Sequence, residues 1–428
     1  VIIKFYIHHY YSISLFYKLF HKTTNRIYKL YNNIGSIFCE YNGNNLELIF
    51  NPIINDNEDG YHIIDFLTCI NQIDIDEKLN NINCINKKPN DISHRGKIGA
   101  EYGINDIPIM KWIADILEEK SNWFIFLLRT EKSIIKYDGI NYPPVADLEN
   151  QIDRLKNHYI INDNVIFNNI IKNKYPNYFF CLSNTIHQWN ELLSIRWFYE
   201  FKNIFEKLNQ PYDLCFSMRF HKKHRVELIN KLASLNNPKI YLNRVDNCIN
   251  DEYKLFSKSI DSNIHFNKTN GQDFDDINSI DNINNYLDYL MRILPMAKMH
   301  ILSETWDWKA SEFTSNYLSE KTYGFVLAKV PFISLHPYPL EILQSILYID
   351  KHPFFDEIKK INGNVHKLVK FVENFMKNFE INYNLCLLWI NDAHDKLMYK
   401  MDYENNFLNL LFNNEFKIKK ITPNKNLI

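Results

Sequence analysis

The stretch from Tyr212 to Leu235 reads YDLCFSMRFHKKHRVELINKLASL and joins a strand pattern to a helix pattern. Tyr212–Met218 is an apolar run of strand length. Lys222–Leu235 then places Val226, Ile229, Leu232 and Leu235 on one helical stripe. The same rhythm continues downstream. Lys239–Leu242 is a short strand, Met299–Ser303 (MHILS) another, Ser319–Leu327 a helix, Pro331–Leu335 (PFISL) a strand and Leu340–Leu347 a helix. From Phe354 to Phe412 the pattern is mainly helical, and Glu191–Leu208, upstream, is a strongly amphipathic helix. The alternation predicts an open parallel sheet with helices on both faces. Asn243–Asn285, with its DFDD and NINN tracts, reads as a polar insertion.

The first half carries a weaker version of this pattern. Residues 1–35 read as helical or mixed, and apolar runs follow at Leu46–Phe50 and Tyr61–Ile70. Asn71–Asp91 is polar and reads as a loop, while Ile107–Lys120 and Leu148–His158 have helical spacing. Trp123–Leu128 (WFIFLL) and Tyr178–Leu182 (YFFCL) suit buried parallel strands. Length also argues for two cores, because 428 residues exceed what one compact core usually holds. The expected division is an α/β domain over 1–190, a second over 191–395 and a helical tail over 396–428.

Composition narrows the function classes. Hydrophobic residues make up 46% of the chain and aromatics 15%, too much apolar mass for a largely disordered protein. Lys and Arg number 49 against 50 Asp and Glu, a net charge of −1, so a globally basic nucleic-acid coat is not expected. An anion site must be a local concentration of charge. Glycine is scarce at 10, whereas Asn and Ile are abundant; such a bias tracks coding composition, so Asn-rich runs say little about function. The seven cysteines are scattered and never spaced C-x-x-C, which suits a reducing, cytoplasmic setting better than a disulfide framework or zinc knuckle. No uncharged apolar stretch of about 18 residues occurs. Val1–Phe20 lacks a cleavage site and carries Lys4, His8, His9 and Lys18, so it is not read as a signal peptide; the missing initiator Met leaves room for a fragment.

Three segments carry chemistry. Ser217–Arg225 (SMRFHKKHR) lies between strand and helix and holds Arg219, Lys222, Lys223 and Arg225 with no acid among them. Ligands of open α/β sheets sit at the carboxyl ends of strands, where this loop falls. Cations at a helix start oppose the macrodipole by about a few tenths of a kcal/mol each; a bound phosphate would reverse that sign. The bland reading is a solvated basic turn. Ile301–Trp306 (ILSETW) places Glu304 at another carboxyl strand edge, where it is either a site group or an ordinary loop acid. Leu318–Ile333 (LSEKTYGFVLAKVPFI) offers Ser319 as N-cap, Glu320 in the first turn and Lys321 against the dipole. Taken alone, this third segment reads most simply as a surface helix.

The order of these segments resembles the donor-binding domain of GT-B glycosyltransferases of the fucosyltransferase type. It is closer to the divergent glycosyltransferase-like proteins of phages and large viruses, whose pattern is roughly T-E-K-T-x-K-P followed by a P-F-I strand. The resemblance covers Asp213 to Leu347. It implies two Rossmann-like domains and an inverting sugar transfer from a nucleotide-sugar to a glycan or other hydroxyl acceptor, with no cofactor. Arg225 and Lys321 would contact the donor diphosphate, with Arg219 and Lys223 beside them. Glu320 would hold ribose or base-proximal hydroxyls, and Glu304 would line the sugar pocket. Two departures stand out: Gly324-Phe325 replaces the Lys-Pro pair, and Ala328-Lys329-Val330-Pro331 lacks the glycine of the fucosyltransferase A-G-x-x-P.

Rival readings have less behind them. A metal-dependent transferase needs an Asp-x-Asp motif; Asp74-Ile75-Asp76 and Asp273-Phe274-Asp275 have the letters but lie in acidic low-complexity tracts. His221 and His224 lack further spaced ligands for zinc. RNA binding would use the basic loop, but no recognition motif accompanies it. His94, Glu101 and Asp106 are candidate general bases that nothing in the sequence separates from loop residues. The main non-enzyme alternative is a degenerate fold serving as a structural or binding protein.

Overall fold

The computed structural model describes residues 2–7, 35–50, 60–65, 123–128, 135–137, 140–142, 154, 159–162, 178–180, 210, 212–218, 223–235, 237, 239–245, 264–267, 297–303, 318, 320–404 and 407–412. The chain forms two compact units. One comprises residues 1–87, 102–188 and 399–428, the other 88–101 and 189–398.

The first unit is built on strands β1 (Ile2–Ile7), β2 (Gly35–Tyr41), β3 (Asn44–Phe50), β4 (Tyr61–Asp65), β5 (Trp123–Leu128), β8 (Tyr159–Asn162) and β9 (Tyr178–Phe180), with a separate hairpin of β6 (Ile135–Tyr137) and β7 (Ile140–Tyr142). The main sheet runs β2-β3-β1-β4-β5-β8-β9, with β2 antiparallel to β3 and every other pair parallel. The β2–β3 turn is Asn42-Gly43, both with positive φ (50° and 77°). Asn-Gly is favoured there because the right-handed twist of the strands demands a left-handed turn. Phe5, Ile7, Leu46, Leu48, Ile63 and Ile161 are at most 1% exposed and form the core. At Gly60 a Cβ would come within 2.5 Å of the Tyr6 ring and 3.0 Å of the Lys4 carbonyl oxygen, so the close approach of the chain into β4 needs glycine.

The second unit is a five-stranded, all-parallel sheet of β10 (Tyr212–Met218), β11 (Ile240–Val245), β12 (Ile264–Asn267), β13 (Ala297–Leu302) and β14 (Phe332–Ser334), in the order β12-β11-β10-β13-β14. Counted in chain order this is 3-2-1-4-5, the Rossmann-type order, and its direction reverses between β10 and β13. Leu214, Cys215 and Phe216 of β10 are fully buried, as expected of a central parallel strand covered on both faces. Helix α1 (Lys223–Ala233) follows β10 and buries Val226, Leu228, Ile229 and Leu232. Burying each of these aliphatic side chains contributes about 1.5–3 kcal/mol before chain entropy is counted. Helices α2 (Glu320–Leu327) and α3 (Tyr338–Leu347) flank β14; α4 (Phe355–Ile361), α5 (Val365–Lys377) and α6 (Phe379–Tyr399) follow. Asn364 caps α5 by accepting from the Lys367 N–H at 3.1 Å.

The amino edge of this sheet is tied by charge. Buried Asp213 accepts from Lys239 at 3.2 Å and Lys298 at 3.4 Å. Lys298 also reaches Glu380 at 2.6 Å, fixing the start of α6. Further along α6, Trp389 donates to the Asp350 carbonyl at 2.9 Å and packs edge-on against Phe332 and His352.

Several expectations need correction or extension. The N-terminal region reads as helical or mixed, but Ile2–Ile7 is a parallel strand whose Phe5, Tyr6 and Ile7 are buried. The Asn243–Asn285 stretch is not wholly an insertion: β11 continues to Val245, and Ile264–Asn267 supplies the edge strand β12. Strands β2, β6, β7 and β8 are not foreseen in the sequence. On α1, Leu228 joins the buried stripe while Leu235 is only half-buried. The expected helices at 107–120 and 191–208, and the loop at 71–91, lie outside the described residues; of 148–158 only Arg154 is described, in a turn.

His352 gives the fold an acid-sensitive point. Its ring is 2% exposed, and its Nδ1 accepts from the Phe354 N–H at 3.2 Å. Burial pushes its pKa down to about 3, with the Phe332 backbone pulling weakly the other way. In the unfolded chain a histidine titrates near 6.5. Between about pH 3 and 6.5 the unfolded chain therefore binds the extra proton, so stability is complete above about 6.5 and falls as pH drops. His352→Asn should flatten the acid limb of a urea-midpoint profile between pH 7 and 4.5, where the wild type loses on the order of a few kcal/mol. An unchanged profile in the variant would assign acid lability elsewhere.

Candidate functional site

The reversal of strand order between β10 and β13 fixes where to look, because chains leaving adjacent strands in opposite directions open a crevice at their carboxyl ends. In this unit those ends are Met218 and Leu302. The chain enters α1 from the β10 side with Lys223, and the first turn of α1 contains no acid.

Arg225 spans the reversal. It falls on the buried stripe of α1, in step with Leu228, Ile229 and Leu232, and only 2% of its surface is exposed. Its Nη2 donates to the Ser303 carbonyl at 2.7 Å, and its Nε lies 3.5 Å from Ser303 Oγ. The guanidinium thus ties the helix after β10 to the residue after β13. The two-point grip suits the planar fork of arginine and not the point charge of lysine.

The neighbouring strand end extends the polar layer. Leu302 pairs with Ser334 in the β13–β14 register, and the Leu335 N–H donates to the Leu302 carbonyl at 2.9 Å. Ser334 Oγ accepts from the His336 N–H at 3.3 Å, and the His336 ring stacks on Tyr338 at 5.9 Å. The loop is held from the other side by the Gly363 N–H, which donates to the Leu335 carbonyl at 2.9 Å. Ser303, Ser334 and His336 are all buried. Sequence reasoning missed Ser334 and His336, although the rule that singled out Ser217–Arg225 applies equally to SLHPYP, the segment leaving β14.

Helix α2 is joined to β14 by the short turn 328–331, closed by Ala328 N–H to Gly324 O and Val330 N–H to Phe325 O, both 2.9 Å. A helix so connected runs back along the sheet, which sets its first turn, with Glu320 and Lys321, towards the carboxyl edge. Thr322 is fully buried beneath it and Lys321 is half-buried. Gly324 is buried, in keeping with close packing of α2.

Of the six residues expected at the site, Arg225 and Lys321 are thus described with their side chains. Lys223 and Glu320 are placed by their backbone in the first turns of α1 and α2, while Arg219 and Glu304 lie outside the described residues, as do His94, Glu101 and Asp106. Among the described residues no three His, Cys, Asp or Glu side chains gather as a metal site, and no helix is long and apolar enough to cross a membrane. Cys39, Cys215 and Cys386 are free thiols; burial pushes that of Cys386 up to about 12, so it is not a nucleophile at neutral pH.

Removing the guanidinium leaves the buried Ser303 carbonyl without this donor, so Arg225→Met should destabilise the protein by about 1–3 kcal/mol in chemical denaturation. Arg225→Lys should recover only part of that loss, because it restores charge without the fork. Wild-type stability in Arg225→Met would show that the strand ends do not depend on this bond.

No family model matches the chain, and no curated protein matches it. Among solved structures it aligns with UDP-GlcNAc 2-epimerase from Neisseria meningitidis bound to UDP-GlcNAc, at 8% identity and a TM-score of 0.34, over 94% of this chain and 99% of that one. A superposition this loose fixes neither ligand nor activity, and the α/β assignment stands on the strand order of the two sheets.

Proposed function

We propose that the protein is a glycosyltransferase of GT-B type that moves a sugar from a nucleotide-sugar donor to an acceptor hydroxyl, without a metal and with inversion. The donor binds at the carboxyl edge of the second unit, within the expected domain 191–395, and the acceptor is held by the domain over 1–190, with 396–428 as a helical segment after them. The observation that carries this reading is the basic, acid-free start of α1 beside the strand-order reversal, with Arg225 joining the two strand ends.

In this reading Arg219, Lys223, Arg225 and Lys321 supply positive potential to the donor diphosphate, aided by the helix N-termini. Arg225 acts mainly by holding the Ser303 edge in place. Glu320 binds hydroxyls near the base, and Glu304 faces the sugar. A carboxylate or histidine deprotonates the acceptor as the leaving group departs. A second reading, a catalytically degenerate fold that binds without turnover, draws support from Gly324-Phe325 in place of Lys-Pro and from the Arg225 bond to the Ser303 carbonyl.

Titration of UDP and GDP should show binding that survives EDTA, since the positive potential from Arg219, Lys222, Lys223, Arg225 and Lys321 would stand in for a metal. Binding abolished by chelation would favour an Asp-x-Asp mechanism, and absence of any nucleotide binding would remove the proposal. Once a donor is identified from a nucleotide-sugar panel, Lys321→Ala should lower kcat, because its partner gains charge in the transition state. Glu320→Ala should mainly raise KM for the donor. Each change should be about 10- to 150-fold, the equivalent of one charge-assisted hydrogen bond. Wild-type kinetics in both variants would place the donor elsewhere.

A further inference from the structure

The outer side of β2 is a feature that sugar transfer does not use. This strand ends the seven-stranded sheet of the first unit, and its one neighbour there is β3. The hairpin closes on the pair Tyr41 and Asn44, across the two-residue turn Asn42-Gly43. In such a turn the closing residues exchange both of their backbone hydrogen bonds. Bonding then alternates along the ladder, so Gly35, Ile37, Cys39 and Tyr41 turn their N–H and C=O groups towards β3. Ser36, Phe38 and Glu40 turn theirs outward, and among the described residues no backbone group bonds to them.

The side chains alternate in step. Ser36, Phe38 and Glu40 are exposed, Phe38 by 65%. On the other face, Ile37 and Cys39 lie opposite the fully buried Leu48 and Leu46. The hairpin thus keeps one face in the core and one in water. Sheet edges are ordinarily blunted by proline, by lysine or by a bulge. β2 has none of these: its sequence is GSIFCEY, its one charge is Glu40, and its register with β3 is unbroken from Gly35 to Tyr41.

We propose that β2 pairs antiparallel with β2 of a second copy of this chain, about a two-fold axis at Phe38. The strand is complementary to itself in that register. Phe38 meets the Phe38 of the other copy, an aromatic pair on the exposed face. Ser36 meets Glu40, a hydroxyl donor against a carboxylate, and Ile37 meets Cys39. Gly35 meets Tyr41 and leaves room for its ring. The two Glu40 carboxylates stand four residues apart along the ladder, about 13 Å, beyond the screening length at physiological salt. Each of the outward pairs exchanges both of its N–H···O bonds. Moving the axis to Cys39 instead sets Glu40 against the Phe38 ring and Ser36 against the turn. The inference does not depend on what the carboxyl edge of the second unit binds.

Sedimentation equilibrium on the full chain tests it. Between about 1 and 300 μM the wild type should show a monomer–dimer equilibrium with a Kd on the order of 10 μM, as suits an interface of one strand pair. Hydrogen–deuterium exchange at residue resolution reads the register. Raising the concentration through that range should slow the amides of Ser36, Phe38 and Glu40 by about fivefold or more and leave those of Ile37, Cys39 and Tyr41 as they are. Phe38→Lys sets two like charges on the axis at a position exposed in the monomer, and should raise Kd by at least about tenfold. Ser36→Pro removes an outward N–H and no bond to β3, and should act in the same direction. Tyr348→Lys, at an exposed site in the second unit, should leave association unchanged. A wild type that stays monomeric at about 300 μM would overturn the proposal. So would a dimer that Phe38→Lys leaves intact, or one whose formation slows none of the three outward amides.

Discussion

A guanidinium lodged inside a protein must be matched by acceptors, and at Arg225 the match includes the main chain of Ser303. That bond joins the two places where strand order reverses in the second unit. It adds to the β10–β13 pairing, which ends at Phe216 and Ile301, a link between α1 and the residue after β13. With it, the start of α1, the end of β13 and, through the β13–β14 register, Ser334 and His336 are held in one polar layer. The cost of burying the charge is offset by hydrogen bonding to it, while the Leu228, Ile229 and Leu232 stripe holds the helix that carries it.

The two edges of this sheet are built from different materials. At the amino edge, Asp213, Lys239, Lys298 and Glu380 neutralise one another, and the aromatic rings from Phe354 through Phe375 to Phe379 pack in sequence nearby. The side-chain hydrogen bond to Glu380, outweighing burial, raises the pKa of Lys298 and so favours its charged form. At the carboxyl edge, hydroxyl, imidazole and guanidinium groups are buried together, with Lys223 and Lys321 in the first turns of their helices. One edge closes a core; the other concentrates polar groups where a sheet of this order has its crevice.

How much of this the sequence discloses depends on the element. Tyr212–Met218, Trp123–Leu128 and the 354–412 helices follow directly from unbroken apolar runs or helical periodicity, because burial on one or both faces dictates them. The Asn42-Gly43 turn has the right chemistry, but Asn is so common in this chain that its turn signal is diluted. The edge strand Ile264–Asn267 was not legible: four residues inside a polar tract gain their conformation from pairing with β11, a tertiary effect that local pattern does not contain. At the site, the sequence singled out Arg225 as a cation near phosphate but could not foresee its grip on Ser303, which requires knowing that β13 lies next to β10. His336 escaped because a buried histidine beside a proline looks like any other loop residue until its strand edge is known.

In the proposed function, the carboxyl edge of the second unit takes a nucleoside diphosphate. Photocrosslinking with an azido-substituted uridine or guanosine diphosphate, followed by peptide mapping, addresses it most directly. Label is expected in peptides spanning 217–225 and 303–323, competed by unlabelled nucleotide. Label confined to the strands of the first unit, or label that competitor does not displace, would contradict it.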